Sequence, residues 1–388
     1  MKIDPMIAGF ADELTAWRRD IHAHPELGFE ENRTSALVAE RLRAFGCEVA
    51  TGIGRTGVVG TLRVGNNPRA IALRADMDAL PMPEANGFGH RSQTPGVMHA
   101  CGHDGHTTML LGAARYLATT RNFDGTVHFI FQPAEEGRGG AQAMIADGLF
   151  RQFPCEAVFG MHNFHTLEAG RVGVRPGPAM SGGGVFDIEI AGRGAHGALP
   201  ETGVDPVLIA AHLVTALQSV VARNVSALDS AVVSVTQIHA GDAYNVIPDT
   251  AVLRGTFRAL RLDVLEAVKA RIETITRDVA AAFGGRAEPK VQIRVIPLVN
   301  DAAEAAWAAG AAAEALGGDA VEPDPGIIMA SEDFAYMLAE KPGAFLFIGS
   351  GKGSVPVHNP HYDFNDDILP VGATLWARLV EARLKKAE

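Results

Sequence analysis

The apolar residues in the first half of this chain fall into short runs, and several of those runs stop at a cluster of chemically reactive side chains. VVGTLRV (58–64), AIALRA (70–75), TVHFIFQ (126–132) and AVFGM (157–161) are short and nearly continuous in their apolar character. Such runs read as strands buried on both faces, because a half-exposed strand would alternate. Between them lie segments of helical period: TSALVAERLRAFG (34–46), ending in a glycine, and TTMLLGAARYLAT (107–119). Strands and helices in this alternation predict an α/β domain with a mixed, mostly parallel sheet covered on both faces.

The pattern changes after SGGG (181–184). VFDIEIAG (185–192) alternates like a half-exposed strand, and DPVLIAAHLVTALQSVVA (205–222) has helical spacing. AVVSVTQIHA (231–240) and AVLRGTFRAL (251–260) follow, then an amphipathic helix across 262–284 and KVQIRVIPL (290–298). The order β-α-β-β-α-β is that of a ferredoxin-like α+β unit. The α/β character returns with an alanine-rich helix near 301–316 and AFLFIG (344–349). The expectation is therefore a discontinuous domain, 1–182 and 294–388, with a ferredoxin-like domain inserted at 183–293. The length of 388 residues, more than one core usually serves, fits two domains. The glycines at 182–184 fit a hinge or a plain loop.

Charge narrows the partners. With 34 basic and 45 acidic residues the net charge is −11, which argues against nucleic acid, whose phosphates call for a basic surface. No apolar stretch approaches the roughly 20 residues of a membrane span. The opening residues carry acids early and no secretory leader pattern. Three cysteines are too few for a disulfide framework, so a soluble, cytoplasmic protein is expected. Cys47 and Cys155 read as packing residues, whereas Cys101 stands in a polar cluster.

Five such clusters carry the functional signal: RADMDALP (74–81), MHACGHDGHT (98–107), FQPAEEG (131–137), GMHN (160–163) and VHNPHYDFND (357–366). Asp76, the pair Glu135–Glu136 and His162 each follow an expected strand, and His358 comes a short loop after another. Ligands of open α/β sheets bind outside the carboxyl ends of the strands, so these groups are expected to converge. Cys101, His103, Glu136, His162 and His358 offer thiolate, imidazole and carboxylate, the donors of zinc and the late first-row metals. Five donors are too many for one tetrahedral ion and suit two ions sharing a bridge. Singly, a lone histidine is an ordinary polar residue and a glutamate pair an ordinary turn. Their coincidence beyond buried strands favours a metal site.

MHACGHDGHT, FQPAEEG and GMHN, with GAHGALP (194–200), YNVIPD (244–249) and SEDFAYM (331–337), resemble the aminoacylase-type metallopeptidases. The resemblance is strongest to the amidohydrolase branch that includes hippurate hydrolases and auxin-conjugate hydrolases, and it runs from His22 to Asp367 in the same order. It implies a metallopeptidase-like catalytic domain, an inserted domain serving as lid and dimer interface, and hydrolysis of the amide bond of small N-acyl amino acids. It also implies two divalent ions per subunit (Mn²⁺, Zn²⁺, Co²⁺ or Ni²⁺), with Cys101 shared between them where related branches use aspartate. His103, Glu136, His162 and His358 complete the ligand set. Glu135 becomes the general base and Asp76 orients a ligand, with Asp78 as a helper. His196 would reach the partner subunit's site and donate to the oxyanion, while Asn245 and Arg258 contact substrate. A homodimer or tetramer follows. His361 competes with His358 as ligand, His106 has an ordinary polar reading, and Glu332 and Asp333 carry no assigned role. A dipeptidase- or carboxypeptidase-like activity on the same metals is the alternative.

Overall fold

The computed structural model describes residues 2–386, which form two compact units. The first comprises residues up to Ala179, Val299–Gly326 and the chain from Asp333 onward; the second comprises Met180–Leu298 and Ile327–Glu332. The divisions thus fall at 180 and 298 rather than at 183 and 293, and the second unit takes in a further short segment that periodicity did not assign.

The first unit is built on an eight-stranded sheet. Its order is Glu48–Ile53, Gly57–Val64, Gly125–Gln132, Ala70–Asp76, Ala157–Phe164, Gly343–Gly349, Val172–Gly173 and Val321–Glu322. The four central strands, from Gly125–Gln132 to Gly343–Gly349, run parallel, and antiparallel pairs flank them. Gly125–Gln132 and Gly343–Gly349 are buried along their whole length, which is why their sequences show no alternation. The helix His103–Thr120 starts four residues before the apolar period suggests, and every residue from His103 to Ala114 is buried. It has no polar stripe because other helices close over it. A Cβ on Gly112 would stand 3.0 Å from Leu14 and 3.1 Å from Ala373, of the helices Ala11–Ala23 and Leu369–Arg383.

The second unit holds the strands Gly182–Ala191, Ala231–Ala240, Thr250–Ala259 and Arg286–Val295 and the helices Pro206–Ser219 and Leu262–Ala282. Sheet order places Thr250–Ala259 and Gly182–Ala191 in the centre, and all pairs are antiparallel, the ferredoxin-like arrangement. Phe186, Ile188, Ile190 and Leu253 meet Ile209, Leu213, Leu265 and Ile272 in its core. Pro206–Asn224 is long and apolar enough to cross a membrane by composition, which the sequence reading did not register, yet it places Ile209, Leu213 and Leu217 in this core. Gly182, Gly183 and Gly184 are not a hinge loop. They pair with Ala259, Arg258 and Phe257 as part of the first strand. A Cβ on Gly184 would lie 2.4 Å from the Phe257 ring and 2.3 Å from the Gln292 carbonyl, so glycine here admits a close approach.

Candidate metal centre

Polar character resumes where the central strands of the first unit end. Asp76 is the last residue of Ala70–Asp76, Glu135 and Glu136 follow Gly125–Gln132, and His162 is among the last three residues of the strand Ala157–Phe164 rather than beyond it. Cys101 and Gly102 lead into His103, the first residue of its helix. Gly102 has φ +92°, and a Cβ there would fall 2.2 Å from Asn163 Oδ1 and 2.7 Å from the Tyr362 hydroxyl. Two non-glycine residues also adopt left-handed backbone at the site: Ala134 (φ 54°), before the glutamate pair, and His358 (φ 62°). The His358 amide donates to the Ala100 carbonyl at 2.7 Å, tying its loop to the Cys101 segment.

These elements bring all five expected donors together. Cys101 Sγ is 3.3 Å from His162 Nε2 and 3.3 Å from His358 Nε2, and His358 Nε2 is 3.2 Å from Glu136 Oε1. Donor atoms of Cys101, His103 and His162 lie within 4.8 Å of one another, as do those of Cys101, Glu136 and His358. Glu135 forms such a group with His103 and Glu136. His103 Nδ1 lies 3.2 Å from Asp78 Oδ1, while its Nε2 is buried and has no hydrogen-bond partner among the described residues. Asp78 Oδ2 also accepts the Glu136 amide at 3.0 Å.

Asp78, rather than Asp76, is therefore the carboxylate on the ring of His103. Asp76 Oδ2 stands 3.8 Å from His103 Nε2, and its Oδ1 instead accepts from His106 Nδ1 at 2.6 Å. His106 Nε2 accepts the backbone N–H of Asn163 at 3.1 Å. The Cys101 thiol is pushed well above its ordinary range by burial and by Glu136, Glu135 and Asp76. Burial opposes charge on His103, but Asp76 and Asp78 outweigh it and hold the ring's pKa at about 10. Burial would likewise raise Asp76, yet His103, Arg74 and His106 keep it well below the carboxylate range. Acids, a thiol and imidazoles thus compete for protons in one buried space, an arrangement that divalent cations would relieve.

The remaining candidates are placed differently. His361 is exposed and its amide donates to Asn359 Oδ1. Asp333 is buried: its carboxylate accepts from Gln132 Nε2 at 2.7 Å and from the Ala141 amide at 3.0 Å, and its own amide donates to Glu135 Oε1 at 3.3 Å. His196, Asn245, Arg258 and Glu332 belong to the second unit. There the exposed His196 pairs with Val246 in a two-stranded ribbon, and the Gly197 amide donates to the Asn245 carbonyl. Arg258 donates to the Met329 carbonyl at 3.0 Å and to Ser331 Oγ at 3.1 Å. Sequence reasoning left Asp78 as a minor helper and missed Asn163. Both had a signal, since Asp78 lies two residues past Asp76 and Asn163 is adjacent to His162.

An α/β sheet carrying sulfur, nitrogen and oxygen donors beyond its central strands places the protein among the metallopeptidase-like hydrolases. The chain belongs to the peptidase family M20/M25/M40, whose profile matches residues 72–382. It is similar to the hippurate hydrolase of Campylobacter jejuni, 42% identical over 99% of this chain and 100% of that protein. Thermostable carboxypeptidase 2 of Saccharolobus solfataricus is 38% identical, over 95% of each chain. A crystal structure of a dinuclear metal-binding peptidase of the M20 family from Bacillus subtilis superposes with a TM-score of 0.84 at 33% identity, over 98% of this chain and 100% of that one.

Proposed function

We propose that this protein hydrolyses the amide bond of N-acyl amino acids, of the N-benzoylglycine or N-acetyl type, with two divalent cations in the first unit. One observation carries the reading: the two donor trios, Cys101–His103–His162 and Cys101–Glu136–His358, have Cys101 in common. Each cation would take three protein donors, with one sulfur serving both. The residues fit such a pair, because His103 presents a buried Nε2 with no hydrogen-bond partner among the described residues while Asp78 occupies its other nitrogen. When bound, the cations supply Lewis acidity toward the amide oxygen and lower the pKa of water. Mn²⁺, Zn²⁺, Co²⁺ and Ni²⁺ all suit the mixed donors.

Glu135 acts as general base in this reading. Its Oε1 is held by the Asp333 amide, and its carboxylate groups with His103 and Glu136. It accepts a proton from the attacking water and returns it to the leaving amine. Asp78 fixes the His103 ring, and Asp76 fixes His106 beside it. His196 donates to the oxyanion in the partner subunit's site, with Asn245 and Arg258 on the substrate; Arg258 first releases Met329 and Ser331. A homodimer or tetramer through the second unit is supported by its long edge strand Ala231–Ala240, with Val232 and Ile238 exposed, and by exposed Tyr244 and Val246. The cytoplasm is the proposed compartment.

The carboxypeptidase relative supports a second reading, peptide-bond cleavage at the same site. Both are tested by stripping the protein of metal and assaying hippurate, N-acetyl amino acids and dipeptides, with and without Mn²⁺ or Zn²⁺. Metal-restored turnover of the acyl amino acids supports the proposal, and restored turnover of dipeptides alone replaces it with the second reading. Activity indifferent to stripping removes the metal mechanism.

A further inference from the structure

Behind the donors runs a buried polar chain centred on Arg74, a residue of the strand Ala70–Asp76. Its guanidinium lies between two carboxylates and an amide: Nη1 donates to Asp76 Oδ2 at 2.6 Å, Nη2 to Asp333 Oδ1 at 3.3 Å and Nε to Gln132 Oε1 at 2.8 Å. All four side chains are at most 2% exposed. The two carboxylates lead to different groups of the site. Asp76 accepts from His106, which in turn accepts the amide of Asn163, the neighbour of His162. Asp333 donates its amide to Glu135, and its carboxylate is pinned by Gln132 and Ala141.

We infer that Arg74 is a positioning residue that holds the carboxylate of Glu135 in register with the donor-bearing end of Ala157–Phe164, acting through Asp333 on one side and through Asp76 and His106 on the other. The inference rests on the reading of Glu135 as base. A guanidinium suits the task because its rigid, planar fork fixes the directions of three bonds at once, which an ammonium on a flexible stem does not. A charge that merely neutralised two buried acids would need no such directions.

The test compares Arg74→Lys, Asp333→Asn and the double variant, each as metal-loaded full-length protein hydrolysing hippurate across pH, with Mn²⁺ titrated calorimetrically into the metal-free forms. A small misplacement of a reacting group lowers turnover steeply, so each single variant is expected to lose about 10- to 100-fold in kcat. KM and Mn²⁺ stoichiometry stay within about twofold of the parent, because binding groups are untouched. The acid limb of the kcat–pH profile moves in both single variants, which a purely structural role would not produce. The double variant is no slower than the worse single one, since both changes break one linkage. Multiplying losses in the double variant, an unmoved acid limb, or unchanged kcat in Arg74→Lys overturns the inference. Where Arg74→Lys fails to fold, Asp333→Asn decides alone by its kcat and acid limb. A parallel Glu135→Gln variant separates the two readings: near-normal turnover there removes the base itself, whereas its inactivity beside an unaffected Arg74→Lys removes only the positioning role.

Discussion

Asp78 and His103 form a pair in which the carboxylate Oδ1 lies 3.2 Å from ring Nδ1, while ring Nε2 has no hydrogen-bond partner among the described residues. A carboxylate behind a metal-binding imidazole fixes the ring's orientation and raises its basicity. Asp78→Asn is therefore expected to weaken divalent-metal binding about 10- to 100-fold, read by calorimetric titration of the metal-free protein. Asp76→Asn, whose partner is His106, is expected to weaken it less. Equal losses in the two would return Asp76 to the orienting role.

Cys101 joins both donor trios, so its chemistry sets the preference of the whole site. Cys101→Asp keeps an anionic donor but replaces soft sulfur by hard oxygen, and softness governs metal choice. The expected outcome is retained stoichiometry of two with affinity shifted from Zn²⁺ toward Mn²⁺. Competition between the two ions, followed by elemental analysis, measures it; an unchanged ratio would show that the sulfur is not a ligand.

Gly102→Ala places a methyl group 2.2 Å from Asn163 Oδ1 on a backbone with φ +92°. Left-handed strain and the clash act together, and such strain alone costs about 1–3 kcal/mol. The variant should melt at lower temperature and bind metal poorly, because the strained residue lies between two donors. Parent-like melting would mean that the segment has another conformation open to it.

His22 Nδ1 lies 2.8 Å from Asp104 Oδ2 and its Nε2 3.3 Å from Glu84 Oε1. Burial disfavours its charge, but the bonds to Asp104 and Glu84 outweigh this and raise its pKa from 6.5 to about 9. Because the folded value exceeds the unfolded one, the pair contributes fully below the unfolded value and its contribution fades as pH rises through about 9. Metal-free protein should lose Tm between about pH 7 and pH 10, where His103, held at about 10, fades as well, so His22→Gln should flatten the curve in part. A parent and variant with parallel Tm–pH curves would refute the assignment.

If His196 serves the neighbouring subunit, two inactive variants should repair each other. His196→Ala and Glu135→Gln subunits, unfolded together and refolded, would form mixed dimers with one intact site each. Random pairing of equal amounts restores about a quarter of parental activity. No recovery, with mixed dimers confirmed by mass spectrometry, would place His196 outside the partner's site.

The strand ends were legible in the sequence because a buried parallel strand is a continuous apolar run, and the place where polarity resumes marks its carboxyl end. Asp76, Glu135 and Glu136 were located in this way, whereas the strand bearing His162 runs on to Phe164. The pairing of acids with imidazoles was not legible. Whether Asp76 or Asp78 meets His103 depends on the path of the chain after the strand, which no period encodes. Arg74 sits inside an apolar run, where its length and charge look like an accident until Asp333 arrives from far along the chain to meet it. The run Gly182–Gly184 read as a hinge because glycine's freedom shows in the sequence, whereas the Phe257 ring that demands its small size does not.

The chain passes from the first unit to the second and back twice, so the first unit is assembled from three separate stretches. Its central strand Gly343–Gly349 and the donor His358 belong to the last of them. During synthesis, the strand Ala157–Phe164 therefore has Ala70–Asp76 on one side but waits for Gly343–Gly349 on the other while Met180–Leu298, most of a unit with its own core, emerges. A ribosome that stalls before Gly343 releases a product with a finished second unit beside an open sheet edge, a species for chaperones and proteases to sort.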